Sequence, residues 1–253
     1  MATVTYQEYH GRFAIGSSSN NFSVGANAVT LTSSYYYIAK YTGESTSQLC
    51  ETMQAAIRAV SGTVSPNANV TYSMATGRIT IALDSAQTIT WTDAALQTIL
   101  GFTGAQSGSA TYTATYQPRY TWRPSRGLSS YPLTLERLWD PQATSRFTRA
   151  KDGAVHSVAG HTIYAAELEY QALPAGDVVV GAVQNYQSFE QFYLDVISAG
   201  QPMRVYPDRS NAALQYGAVW GDDNPESVAS ASRRTVREYS GYYDVRLPLW
   251  KVT

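Results

Sequence analysis

The segment that most constrains the fold is the last stretch of chain, residues 241–252, where Val245, Leu247 and Leu249 alternate with Asp244, Arg246 and other polar or amphipathic neighbours. A period of two puts apolar side chains on one face of a strand and charged ones on the other, so this segment must lie in a sheet with a single core face. The same period recurs in residues 70–83. There Val70, Tyr72 and Met74 alternate on the way out, Ala75-Thr76-Gly77 turns the chain, and Ile79, Ile81 and Leu83 alternate on the return. That is an antiparallel hairpin. Shorter runs of the same kind, Phe13-Ala14-Ile15, Val29-Thr30-Leu31-Thr32, Tyr35-Tyr36-Tyr37-Ile38, Val155-His156-Ser157-Val158 and residues 162–170, make the chain mainly β.

Helical spacing interrupts this pattern in three places. Leu49, Met53, Ala56, Ile57 and Val60 recur at three- and four-residue steps, with Gly62 near the expected end and Pro66 blocking continuation. Asp93 is placed to cap a short helix holding Ala95, Leu96, Ile99 and Leu100, stopped by Gly101. Residues 188–198 carry Phe189, Phe192, Tyr193, Val196 and Ile197 on one helical face, closed by Gly200. Residues 105–111, rich in Gly, Ser and Ala, read as a linker. The expected fold is mainly β with an α+β insertion. Residues 1–34 and 112–253 form a β-sandwich core with one packed helix, 188–198, and residues 35–104 form an inserted helix–hairpin–helix module.

Charge and chemistry narrow the functions. The chain has 253 residues with 18 Lys plus Arg against 19 Asp plus Glu, a net charge of −1, so it lacks the basic field that holds nucleic acid. The one concentration of positive charge is Arg119, Arg123, Arg126, Arg137, Arg146, Arg149 and Lys151, which reads either as a solvated loop or as a patch facing an acidic neighbour. Cys50, the single cysteine, excludes an internal disulfide and sits where a helix would bury it. The start of the chain lacks the basic and apolar regions of a signal peptide, and no stretch approaches the ~20 apolar residues of a membrane helix. His10, His156 and His161 have no acidic or thiol cluster beside them, no nucleophile elbow is present, and Asp222-Asp223-Asn224 lacks a calcium-loop spacing. Glu167 with Glu169 reads as a strand face, and Asp222 with Asp223 as a turn. No enzyme activity, cofactor or metal is expected.

Four segments then carry a family resemblance. Phe189-Glu190-Gln191-Phe192-Tyr193 is followed by Gly200-Gln201-Pro202-Met203-Arg204-Val205-Tyr206-Pro207-Asp208 and by the closing strand. This layout resembles the closing segment of tail-tip and baseplate proteins of long-tailed bacteriophages. The series ending Ile99-Leu100-Gly101-Phe102-Thr103 is similar to an α+β module of viral structural proteins. The resemblance implies a distal-tail, minor-tail or baseplate protein with a tail-tube-like or distal-tail-like sandwich, assembled in the host bacterial cytoplasm and found in the virion tail. It implies a self-assembled ring, with a hexamer among the expected orders, contacting tail-tube and tail-tip neighbours. A tail-tube or tail-terminator ring protein and a receptor- or carbohydrate-binding tail module are the alternatives. The candidate subunit-interface residues are Arg119, Arg123, Arg126, Arg137, Asp222, Asp223, Tyr242, Tyr243 and Trp250, with Glu226 beside the acidic turn.

Overall fold

The structure, a computed structural model, describes residues 6–60, 65–128, 140–143, 146–149, 155–158, 162–181, 188–211, 213–221 and 236–252. Within them the protein is mainly β, and every strand pairing is antiparallel. Its buried apolar side chains fall into two cores.

The chain enters through β1 (Glu8–Gly11), a strand of the second core, and then builds the first. Here β2 (Phe13–Ile15) pairs with β5 (Ser34–Tyr36), and β3 (Asn21–Val24) lies between β4 (Asn27–Thr30) and β8 (Ile89–Thr90). The hairpin of β6 (Asn69–Ser73) and β7 (Arg78–Ala82) is extended by β9 (Thr111–Thr113). Helix α1 (Leu49–Val60) lies against β4 and β6 through Leu49, Cys50, Met53 and Ile57. Its start is fixed by Glu51, whose carboxylate accepts from the Gln48 N–H at 3.0 Å, which satisfies a donor that no helical carbonyl can reach. Val60, expected on the apolar face, is exposed.

Helix α2 (Ala94–Leu100) starts at Asp93 as expected, but the Asp93 side chain does not cap it. Its Oδ2 accepts instead from the Asn20 and Asn21 N–H groups at 3.0 and 2.8 Å, tying the helix start to β3. Gly101 ends α2 with φ +79, and a Cβ there would lie 2.3 Å from the Tyr116 carbonyl oxygen.

The first core has wider limits than the periodicity implied. It runs from Phe13 to Ala114, so strands assigned to the sandwich with residues 112–253 pack against α1 and its hairpin instead. Residues 105–110 are not a free linker. Leu83, Gln87 and Ile89 N–H groups donate to the Ala110, Ser109 and Gln106 carbonyls at 2.7, 3.3 and 2.8 Å. Small polar residues read as linker in sequence because they carry no apolar signal, yet their backbone is free to join a sheet edge.

The second core lies on an eight-stranded sheet. Its strands are β1, β10 (Thr121–Trp122), β11 (Asp140–Ala143), β14 (Thr162–Pro174), β15 (Met203–Tyr206), β16 (Tyr216–Trp220), β17 (Val236–Tyr239) and β18 (Tyr242–Val252), in the order β10-β1-β15-β16-β18-β14-β11, with β17 also on β18. A separate hairpin pairs β12 (Arg146–Arg149) with β13 (Val155–Val158). Between β14 and the aromatic helix the chain forms a single helical turn, α3 (Ala175–Val178).

The expected helix over 188–198 is present as α4 (Phe189–Phe192) continuing into a π-helical turn, Tyr193–Ile197. Ser188 Oγ accepts from the Gln191 N–H at 3.1 Å, and Ser198 N–H reaches back to the Tyr193 carbonyl at 2.8 Å. Phe189, Phe192, Tyr193, Val196 and Ile197 are all buried. They meet an aromatic group in which Trp122 stacks on Tyr9 at 5.2 Å and contacts Phe189 at 4.9 Å. Gly11 admits the helix. A Cβ there would sit 2.1 Å from Val196 Cγ2.

Candidate functional site

The arginines singled out in the sequence separate into different environments. Arg119 forms a two-pronged pair with Asp195 of the π-helical turn, Nε to Oδ2 at 2.7 Å and Nη2 to Oδ1 at 2.6 Å. The planar guanidinium matches the carboxylate edge in this geometry. Arg123 turns inward with its side chain 4% exposed, 3.1 Å from the Glu8 carboxylate, whose own side chain is 0% exposed. It therefore stands apart from the subunit surface on which the sequence placed it. Arg126 is exposed and lies over the Tyr242 ring at 5.6 Å. Arg137, Asp222, Asp223 and Glu226 lie outside the described residues.

The closing strand β18 also differs from expectation. Its backbone is paired on both sides, to β14 along residues 242–250 and, on the other edge, to β17 over 242–245 and to β16 over 249–252. Pro248 O accepts from the Gly221 N–H at 3.0 Å between those two partners. No neighbour can add a strand to an edge already occupied. What β18 offers outward is side chains. Tyr242 is exposed, Tyr243 and Trp250 are half-buried, and Arg246 sits 3.6 and 3.5 Å from the exposed or half-exposed Glu167 and Glu169. Of the candidate interface residues, Arg126 and Tyr242 are exposed; Arg246, Glu167 and Glu169, which lie outside the set named from the sequence, add exposed or half-exposed charge on β18 and β14.

A buried polar cluster lies at the junction of the cores and is absent from the sequence reading. Glu8 Oε1 accepts from Tyr72 Oη of β6 and lies 2.7 Å from His10 Nε2, while Oε2 faces Arg123. Arg123 reaches on into the β6–β7 turn, donating to the Met74 and Ala75 carbonyls at 2.8 and 3.3 Å. The turn accepts it closely because Gly77 has no side chain; a Cβ there would fall 1.8 Å from Arg123 Nη1. Burial and the adjoining Glu8 charge push the Tyr72 hydroxyl well above its ordinary range, so it remains a donor. Among the described residues, His10 Nδ1 and Arg123 Nη1 have no hydrogen-bond partner. Glu8 and His10 are 0% and 1% exposed, so a solute from solvent cannot reach them. Chemically the cluster can hold two elements in register. Nothing in the sequence of Gln7-Glu8-Tyr9-His10 shows that Glu8 and His10 both meet a second core.

His156 lies on β13, and His161 lies outside the described residues. No protein-family model, curated protein or solved structure matches the chain.

Proposed function

We propose that this protein is a structural subunit of a long-tailed bacteriophage tail, forming a ring at the distal tail or baseplate that joins the tail tube to the host-adsorption apparatus. The observation that carries the reading is the shared packing of the three segments of the closing layout. The aromatic helix, the strand Met203–Tyr206 with its Tyr-Pro-Asp turn, and β18 all contribute to one core, through Phe189, Phe192, Val205, Val245 and Leu247 among others. These segments belong to the mainly β second core, and the first core, with α1 and α2, is carried between β1 and β10.

Assembly then uses surface rather than pocket chemistry. Charged residues are 15% of the chain against 20 tyrosines, and Tyr supplies a large apolar ring with a polar tip, which suits a contact surface. The Arg126, Tyr242 and Arg246 surface is one side of a head-to-tail contact that closes by rotation. Light scattering at low and high salt on the wild type and on Arg126→Glu with Arg246→Glu tests this. A multiple of the subunit mass that falls with salt and in the variant supports the ring. A monomer under every condition, including after mixing with neighbouring tail proteins, favours a receptor-binding module instead.

A further inference from the structure

Among the described residues the backbone passes between the two cores twice, at Arg12 and at residues 115–120. The passages lie side by side. Gly11 N–H donates to Tyr120 O at 2.8 Å, and the Tyr120 ring stacks on Phe13 with centroids 4.6 Å apart and planes 8° from parallel. Tyr120 has φ +69, a left-handed conformation that a tyrosine adopts only when its surroundings hold it there. Among the described residues it is the one side chain packed against both cores. The cores are thus joined by a narrow two-stranded neck with a strained residue in it.

Away from the neck, two polar clusters among the described residues join the cores. Tyr72 and the β6–β7 turn meet Glu8 and Arg123, as described above. On the same junction Arg204 of β15 donates to the Ala39 carbonyl at 2.9 Å and to Glu44, between the rings of Tyr37 at 3.9 Å and Tyr41 at 5.2 Å. At the neck itself Arg12 N–H donates to Pro202 O at 2.9 Å, and away from it the His10 ring meets Tyr72 edge-on at 5.0 Å. Directional pairs of this kind are either made or broken, which gives the junction two discrete arrangements.

We infer that the first core is a hinged lobe: it pivots at the neck formed by residues 11–13 and 115–120, and is latched against the second core by the Glu8 and Arg204 clusters. Opening breaks the Tyr72–Glu8 and Arg204–Glu44 contacts while each core keeps its own apolar packing. The inference does not depend on the proposed role in a tail.

Spin labels on Ser85→Cys in the first core and Ala199→Cys in the second report the angle between them, since both positions are exposed and buried Cys50 takes no label. Pulsed electron resonance should give one narrow distance peak for the labelled protein. Tyr72→Phe with Glu44→Gln, both close in shape to the originals, should add a second, displaced peak with circular dichroism unchanged. Guanidinium below the main unfolding transition should produce the same second peak in the labelled protein without those two changes. A single unmoved peak in the folded double variant overturns the hinge. If the double variant does not fold, the guanidinium series decides: a displaced peak before the dichroism falls upholds the hinge, and a distance that holds until global unfolding refutes it.

Discussion

Replacing Arg123 by Ala isolates the energetic role of the junction. The side chain is 4% exposed and its partner Glu8 is 0% exposed, so the substitution leaves a carboxylate in a low-dielectric setting without its counter-ion. Breaking a buried pair in this way costs about 3–5 kcal/mol, because the lone charge keeps its desolvation penalty and loses the attraction that offset it. Tyr72 and His10 still approach Glu8, which holds the cost toward the lower part of that range. The Met74 and Ala75 carbonyls lose a charged donor, which moves it back up. A domain stable by about 5–15 kcal/mol would survive the change but unfold at clearly lower urea. Arg126→Ala, on an exposed arginine, should cost about 0–1 kcal/mol and serves as the comparison. Glu8→Gln with Arg123→Met should cost less than the sum of the single changes, since the double variant buries no unpaired charge. Urea unfolding followed by tryptophan fluorescence gives all five values. A loss below about 1 kcal/mol for Arg123→Ala would refute the claim that this pair organises the junction.

Phe192→Ala should lower stability by about 3–5 kcal/mol in a thermal or urea melt, because the ring is 2% exposed within the second core. Gly101→Ala should lower the melting temperature clearly, since φ +79 disfavours a side chain and the added carbon meets backbone, not a movable side chain. Burial pushes the hydroxyls of Tyr9, Tyr72, Tyr170 and Tyr206 upward, that of Tyr206 to about 12. Above pH ~10 the unfolded chain loses these protons while the folded one keeps them, so stability is intact below that pH and falls by about 1.4 kcal/mol per pH unit for each such group. Ultraviolet titration should therefore show a late group of tyrosines ionising together with unfolding. Smooth ionisation of all tyrosines near pH 10, with the fold intact, would contradict this.

Periodicity was enough to locate the hairpin of β6 and β7, helices α1 and α2, the buried face of residues 189–197 and the strand β18, because each has an unbroken apolar repeat that local geometry turns into one face. It did not locate the division between the cores. Phe13, Phe22 and Leu31 look like any short strand, and whether they meet α1 or α4 depends on tertiary contacts that no local pattern encodes. The interface residues fared unevenly for a related reason. Clustering in sequence grouped Arg119, Arg123 and Arg126, but successive residues of a strand and its flanking turns point in different directions. One met Asp195, one was buried on Glu8, and one remained in solvent. The length of β18 was legible, whereas its place between β14, β16 and β17 was not, since alternation specifies a buried face and is silent about edges.

The most direct test of the proposed role is electron microscopy of the purified protein, alone and after co-expression with its neighbouring tail proteins. The account predicts closed rings of one fixed subunit number. A field of single, unassociated particles in both preparations would contradict it.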